Sequence, residues 1–117
     1  MLLNGKWKIK KAELGGKQLP APAFADMTLE LDETSYQLRE KEVIDSGLIE
    51  LINEREPKAL LITSVFGPNK GKTFSCIYKF ETDDDMLMCY NLGGGSFPEA
   101  FATFENTLLY LVHYKRV

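Results

Sequence analysis

The segment 67–73, Gly-Pro-Asn-Lys-Gly-Lys-Thr, ends in the Gly-Lys-Thr of a phosphate-binding loop. In such a loop, backbone N–H groups surround the phosphate while a lysine and a hydroxyl complete the site. Two features argue against that chemistry here. Only three residues separate Gly67 from Gly71 where the motif has four, and a strand-like segment follows, so no helix N-terminus would face a phosphate. The segment is therefore predicted to be a turn between two strands.

Two cysteines could form a bridge or remain thiols. If Phe80 pairs with Asp85 across a hairpin, Cys76 lies opposite Cys89, at a Cα separation of roughly 4.5–5.5 Å that a disulfide accepts. The alternative, which we favour for a cytoplasmic protein, is two reduced, buried thiols that pack as small hydrophobic residues. Together with His113 they are too few and wrongly spaced for structural zinc, so no metal or cofactor is predicted.

The remaining groups that could do chemistry do not form a catalytic set. Asp83, Asp84 and Asp85 lack the ligand spacing and the glycine of an EF-hand loop, and they are predicted to be the charged tip of a hairpin. His113 lies among alternating apolar residues, and the sequence contains no Gly-x-Ser-x-Gly elbow. We therefore predict a structural role for His113 and a protein that is not an enzyme.

Lys11 and Glu13 share the alternation face of Trp7 and Ile9 in the first predicted strand. If Trp7 points inward at the base of a barrel, Lys11 and Glu13 approach the open end, where a charge would orient the polar end of a ligand. The alternative is an open end filled with water.

Length and composition indicate one globular domain, residues 1–117. Apolar residues make up 44% of the chain and charged residues 26%, which are ordinary values for a globular protein. The net charge of −3 provides no basic field, so nucleic acid is not a predicted partner. No apolar run approaches the roughly 18 residues of a membrane span, and residues 1–4 are too short for a signal peptide. The expected location is cytoplasmic as written, or exported if a leader precedes this sequence.

Period-2 alternation and turn residues predict eight or nine short strands and no convincing helix. A helix over 48–52 is the competing interpretation, which Gly47 disfavours, and a single helical turn is allowed near 23–25. The pattern is typical of an antiparallel barrel or sandwich. The predicted strands are 6–14, 27–31, 36–38, 46–53, 58–66, 74–80, 86–90, 100–104 and 107–115.

Several motifs resemble one family. Gly5-x-Trp7 is similar to the Gly-x-Trp of lipocalins, and Arg116 lies where those barrels place a basic residue over the Trp. The rest of the chain resembles the short bacterial lipocalin-like domains of uncharacterised function, although Leu48 and Phe97 depart from their pattern. The resemblance implies an all-β, up-and-down antiparallel barrel closed by Gly5, Trp7 and Arg116, with a cation–π contact of roughly 0.5–2 kcal/mol. The matching segments are 16–20, 46–47, 57, 67–73, 77–78, 85–90 and 98–101.

The predicted function is non-catalytic. The barrel interior is expected either to hold one small apolar ligand or to be filled by its own side chains. The alternative function is an interaction module, in which apolar residues on the outer face of segments 60–62 and 86–88 form a homodimer or partner interface. The interior is predicted to include Leu31, Phe80 and Val112. The residues predicted to contact a ligand are Trp7, Ile9, Lys11, Glu13, Leu29, Tyr36, Leu38, Tyr78 and Tyr110.

Overall fold

A computed structural model describes residues 3–117 and contains, within that range, nine β-strands and one short 3-10 helix, Ala21–Ala23. Neighbouring strands are antiparallel, and β1 pairs with both β3 and β9. Eight strands therefore form a closed barrel, and β2 adds to the edge of β1. The predicted all-β up-and-down barrel is confirmed. The strands are β1 (Gly5–Leu14), β2 (Lys17–Gln18), β3 (Thr28–Leu31), β4 (Ser35–Glu40), β5 (Glu42–Ile52), β6 (Ala59–Phe66), β7 (Thr73–Thr82), β8 (Asp85–Asn91) and β9 (Leu109–Arg116).

The two ends of the barrel differ in their connections. Because neighbouring strands run in opposite directions, the links β1–β3, β4–β5, β6–β7 and β8–β9 lie at one end, which we call the open end. The links β3–β4, β5–β6 and β7–β8 lie at the other, which we call the closed end. Segment 67–73 joins β6 to β7, as predicted, and residues 48–52 are strand rather than helix.

The closed end is sealed by the predicted contact between Trp7 and Arg116. These residues face each other across β1 and β9, and the guanidinium carbon of Arg116 lies 4.2 Å from the centroid of the fully buried indole. The Trp7 Nε1 donates a hydrogen bond to the Leu3 carbonyl at 3.0 Å. Gly5 has a φ of +136°, and a Cβ there would come 2.8 Å from Arg116 Nη1, so glycine both permits the conformation and leaves room for the guanidinium.

A bulge in β1 overturns the predicted placement of Lys11 and Glu13. Ile9 pairs with Tyr114 but Lys11 pairs with His113, so Lys10 is an extra residue in the strand. An extra residue moves every later side chain to the opposite face. Ala12 is consequently buried in the barrel interior, while Lys11 and Glu13 leave the face of Trp7 and lie outside.

A second bulge overturns the predicted pairing of the cysteines. Glu81 is the extra residue here, and the hairpin pairs Cys76 with Tyr90 and Ile77 with Cys89. The register therefore differs by one residue from the prediction, which places the two cysteines on opposite faces of the sheet. Cys76 lies in the barrel interior and Cys89 in an outer cluster, and both are buried free thiols, as favoured above.

The predicted strand at 100–104 does not form, because β8 pairs directly with β9 and leaves it no partner. Instead, the connection crosses the outer face of the sheet, where Phe97 and Phe101 pack on a buried cluster that includes Leu87. The last strand begins at Leu109 rather than 107. Residues 3–117 contain no helix with the length and hydropathy needed to cross a bilayer.

Candidate ligand-binding cavity

A cavity of about 210 Å³ occupies the barrel interior towards the open end. Its wall is largely apolar, and residues from the open end, Met27, Asn69 and Leu92, form part of it. The cavity extends inward as far as Leu31 and Tyr114. The other lining residues are Ile9, Leu29, Tyr36, Leu38, Asp45, Ile49, Leu60, Ile62, Phe74, Met88, Tyr90 and Tyr110.

The structure brings together more than half of the residues predicted to contact a ligand. The five that line the cavity come from β1, β3, β4 and β9, and in each strand they lie on the face that points into the barrel. They are Ile9, Leu29, Tyr36, Leu38 and Tyr110.

The other four predicted residues lie elsewhere. Trp7 and Tyr78 are inside the barrel, but in the closed half, where Phe80 contacts both: its ring centroid is 6.1 Å from each of theirs. Lys11 and Glu13 border a shallow outer depression. Glu13 accepts a hydrogen bond from Thr103, and its role in this structure is to anchor the β8–β9 connection.

Asp45 carries the only charge on the cavity wall formed by the described residues. Its Oδ1 atom accepts hydrogen bonds from the Tyr36 hydroxyl at 3.0 Å and from the Ser64 hydroxyl at 2.7 Å. Ser64 is 1% exposed, so this polar group is embedded in the barrel wall. Burial raises the pKa of Tyr36 to about 12, and the carboxylate of Asp45 adds to the shift.

The position of Asp45 depends on the pairing of β4 with β5. Leu38 pairs with Asp45 but Arg39 pairs with Val43, so Ile44 is an extra residue and Asp45 shares the inward face with Leu38. Gly47 then pairs with Tyr36 on one side and Ser64 on the other. A Cβ at Gly47 would lie 2.0 Å from the Thr63 carbonyl oxygen, so only glycine allows the strands to approach this closely.

A pair of tyrosines forms the second polar feature of the wall. The hydroxyl groups of Tyr90 and Tyr114 lie 2.7 Å apart and share a hydrogen bond, and Tyr90 also donates to the Met88 sulfur at 3.6 Å. The ring of Tyr110 packs 5.6 Å from that of Tyr90. Burial raises the pKa of each of these three tyrosines, so all remain neutral hydrogen-bonding groups at physiological pH.

The sequence did not indicate Asp45 and Tyr90 as lining residues of the cavity, or Ser64 as the hydrogen-bonding partner of Asp45. Asp45 precedes the predicted strand 46–53, and no residue pattern marks the bulge at Ile44. Ser64 does alternate with Ile62 in the predicted strand 58–66, so the inward face of β6 could have indicated it. Tyr90 shares an alternation face with Met88, and only the observed register shows that this face points inward.

A larger depression, about 610 Å³, opens at the closed end, where interior residues such as Leu51 and Phe80 and residues of the β5–β6 connection line it. It is more open to solvent and carries the charged residues Glu56 and Lys58 on its wall. Tyr78 borders it and donates a hydrogen bond from its hydroxyl to Asn53 Oδ1 at 2.9 Å. The inner cavity is less open and more apolar, so it would remove more of a ligand's surface from water, and we consider it the better candidate site.

The other groups considered for chemistry have structural partners. The acidic hairpin tip holds Arg116: Nε and Nη2 donate to the Asp83 carbonyl at 3.1 and 2.9 Å, and Nε lies 3.5 Å from Asp84 Oδ1. His113 lies across from Lys11 on the outer face, and burial lowers its pKa. Within residues 3–117, no three His, Cys, Asp or Glu side chains are placed to share a metal ion.

Searches with protein-family models, curated proteins and solved structures find no match to this chain.

Proposed function

We propose that this protein is a non-catalytic, lipocalin-like barrel that binds one compact, largely apolar small molecule in its interior cavity. The observation that supports this most is the largely apolar space of about 210 Å³ inside the barrel. Protein interiors normally have few spaces larger than a water molecule, so a largely apolar space of this volume among interior side chains is suited to a small molecule that would contact its wall closely.

The chemistry of the wall favours binding over catalysis. Tyrosines with raised pKa values are poor general bases and poor nucleophiles near neutral pH, but they are good hydrogen-bond donors. A largely apolar wall with a few fixed polar groups is the usual composition of a small-molecule site, in which the polar groups orient the ligand.

Native mass spectrometry of freshly purified protein tests this proposal. We expect a co-purified small molecule, or a mass increase with small apolar probes such as toluene or hexanol. Ile49→Trp, which fills the cavity, should abolish binding. Leu48→Trp is the matched control, since Leu48 is adjacent to Ile49 in β5 and is 57% exposed. Equal binding by both variants would contradict the proposal.

The second candidate is an interaction module, supported by the exposed apolar side chains Leu48 and Phe66 on β5 and β6. The outer face of β8 gives it less support, because Leu87 is already covered within a cluster that includes Phe97 and Phe101. Size-exclusion chromatography with light scattering tests this candidate. A dimer that Leu48→Glu converts to monomer would support it, and a wild-type monomer at every concentration would count against it.

A further inference from the structure

Asp45 gives the cavity a preference for one class of ligand, which its apolar wall alone would not give. We propose that the ligand is a small organic amine whose ammonium group binds at Asp45 while its apolar body fills the cavity. This inference depends on the proposed binding function and specifies the class of molecule bound.

The hydrogen bonds of Asp45 leave acceptor capacity. Both the Tyr36 and Ser64 hydroxyls donate to Oδ1, and Oδ2 accepts no hydrogen bond from any described residue. An ionised carboxylate has about four acceptor positions, so Oδ2 keeps capacity for a further donor. A ligand N–H donor would complete the set.

Asp45 also lacks a counter-charge. No described Lys, Arg or His lies within 4.0 Å of its carboxylate. Arg39, on the neighbouring strand, forms an ion pair with Glu30 at 3.1 Å. An ammonium group at this carboxylate would form the ion pair that no described residue provides. A cationic ligand therefore gains more here than a neutral one, and an anionic ligand is repelled.

The aromatic residues of the wall favour the same class of ligand. Five aromatic rings line the cavity, and cations are attracted to the faces of such rings. A single carboxylate offers too few oxygen ligands for a metal ion, which leaves an organic cation as the best match. The rings belong to Tyr36, Phe74, Tyr90, Tyr110 and Tyr114.

The cavity volume limits the size of the amine. A buried apolar cavity of roughly 150 Å³ is enough to hold benzene. The 210 Å³ found here therefore accommodates one ring with a short aminoalkyl chain, or an alkylamine of similar volume.

Isothermal titration calorimetry with three probes of matched size tests the inference: 2-phenylethylamine, 2-phenylethanol and phenylacetate. For the wild-type protein we expect the amine to bind about tenfold more tightly than the alcohol, and the acid not to bind. Equal affinity for amine and alcohol would overturn the amine assignment and leave the binding function intact. No binding of any probe would overturn both.

Asp45→Asn isolates the contribution of the charge. The variant should lose the preference for 2-phenylethylamine and keep its affinity for 2-phenylethanol. Glu50→Gln is the matched control, because Glu50 lies on the same strand but is exposed on the outer face. An unchanged preference in Asp45→Asn would overturn the inference. Should this variant fail to fold, the wild-type series decides the question alone.

Discussion

The two halves of the barrel interior are built from the same strands but differ in what fills them. In the closed half, Phe80 packs against a buried cluster that includes Trp7 and Met86, and Arg116 stacks over the indole. In the open half, the wall surrounds about 210 Å³ of space and carries the carboxylate of Asp45. On the proposed function, the closed half supplies stability and the open half supplies the space for a ligand.

The two halves also differ in how they satisfy polar groups. In the closed half, the Trp7 Nε1 and the guanidinium of Arg116 donate mainly to backbone carbonyls, which fixes them in place. In the open half, side chains bond to one another, as in the Tyr36–Asp45–Ser64 group. Side-chain partners can exchange with a ligand at lower cost than backbone partners of a closed barrel, because strand pairing does not depend on them.

The largest expected effect is on the closed half. Replacing Trp7 with alanine removes a fully buried indole, which should lower the free energy of unfolding by about 3–5 kcal/mol. Urea denaturation followed by circular dichroism measures this change. Trp7→Phe, which retains a ring, is the control and should cost less. A loss below about 1 kcal/mol for Trp7→Ala would show that the closed half is not the stabilising region.

A matched pair on β8 compares the halves directly. Met86 and Met88 are each 1% exposed, but only Met88 lines the cavity. We expect Met86→Trp to overpack the closed half and cost about 1–3 kcal/mol, whereas Met88→Trp extends into open space and costs less. Urea denaturation of both variants measures the difference.

One outcome of the Met86→Trp and Met88→Trp comparison would contradict the difference between the two halves. Equal destabilisation by the two substitutions would mean that the open half is as tightly filled as the closed half. In that case the cavity could not accept a ligand without expansion of the barrel.

The smallest expected effect is spectroscopic and tests whether the open half excludes water. All five tyrosines have pKa values above the ordinary value of 10, chiefly through burial, and that of Tyr36 is about 12. The native protein should therefore form little tyrosinate at pH 10, measured by absorbance at about 295 nm, while the urea-unfolded protein is half ionised there.

The raised pKa values of the tyrosines also make the stability of the protein depend on pH. The folded pKa is raised, so the stabilisation is complete below pH 10 and is lost as the pH rises through the folded values, near 12 for Tyr36. Urea midpoints should therefore fall above pH 10. Coincident titration of the native and unfolded proteins at pH 10 would show that water reaches the wall.

Alternation within single strands grouped much of the candidate site on common faces, although it does not say which face is inward. Ile9, Leu29 and Tyr36 were assigned to the interior on the barrel hypothesis, and they line the cavity. The predictions failed beyond bulges. Lys11 lies outside because Lys10 is an extra residue, and Cys89 lies opposite Ile77 because Glu81 is another. A bulge depends on pairing with the neighbouring strand, so it leaves little trace in a single sequence.

Period-2 alternation and turn residues are local properties, so the amino-acid order alone indicated an antiparallel barrel or sandwich, and the resemblance to lipocalin motifs indicated closure at Trp7 and Arg116. The inward direction of Asp45, the placement of the two cysteines on opposite faces and the 210 Å³ space became visible only in the folded chain. These features depend on register and on how side chains from several strands meet. Both are set by partners distant in the chain, and a shift of one residue reverses every face.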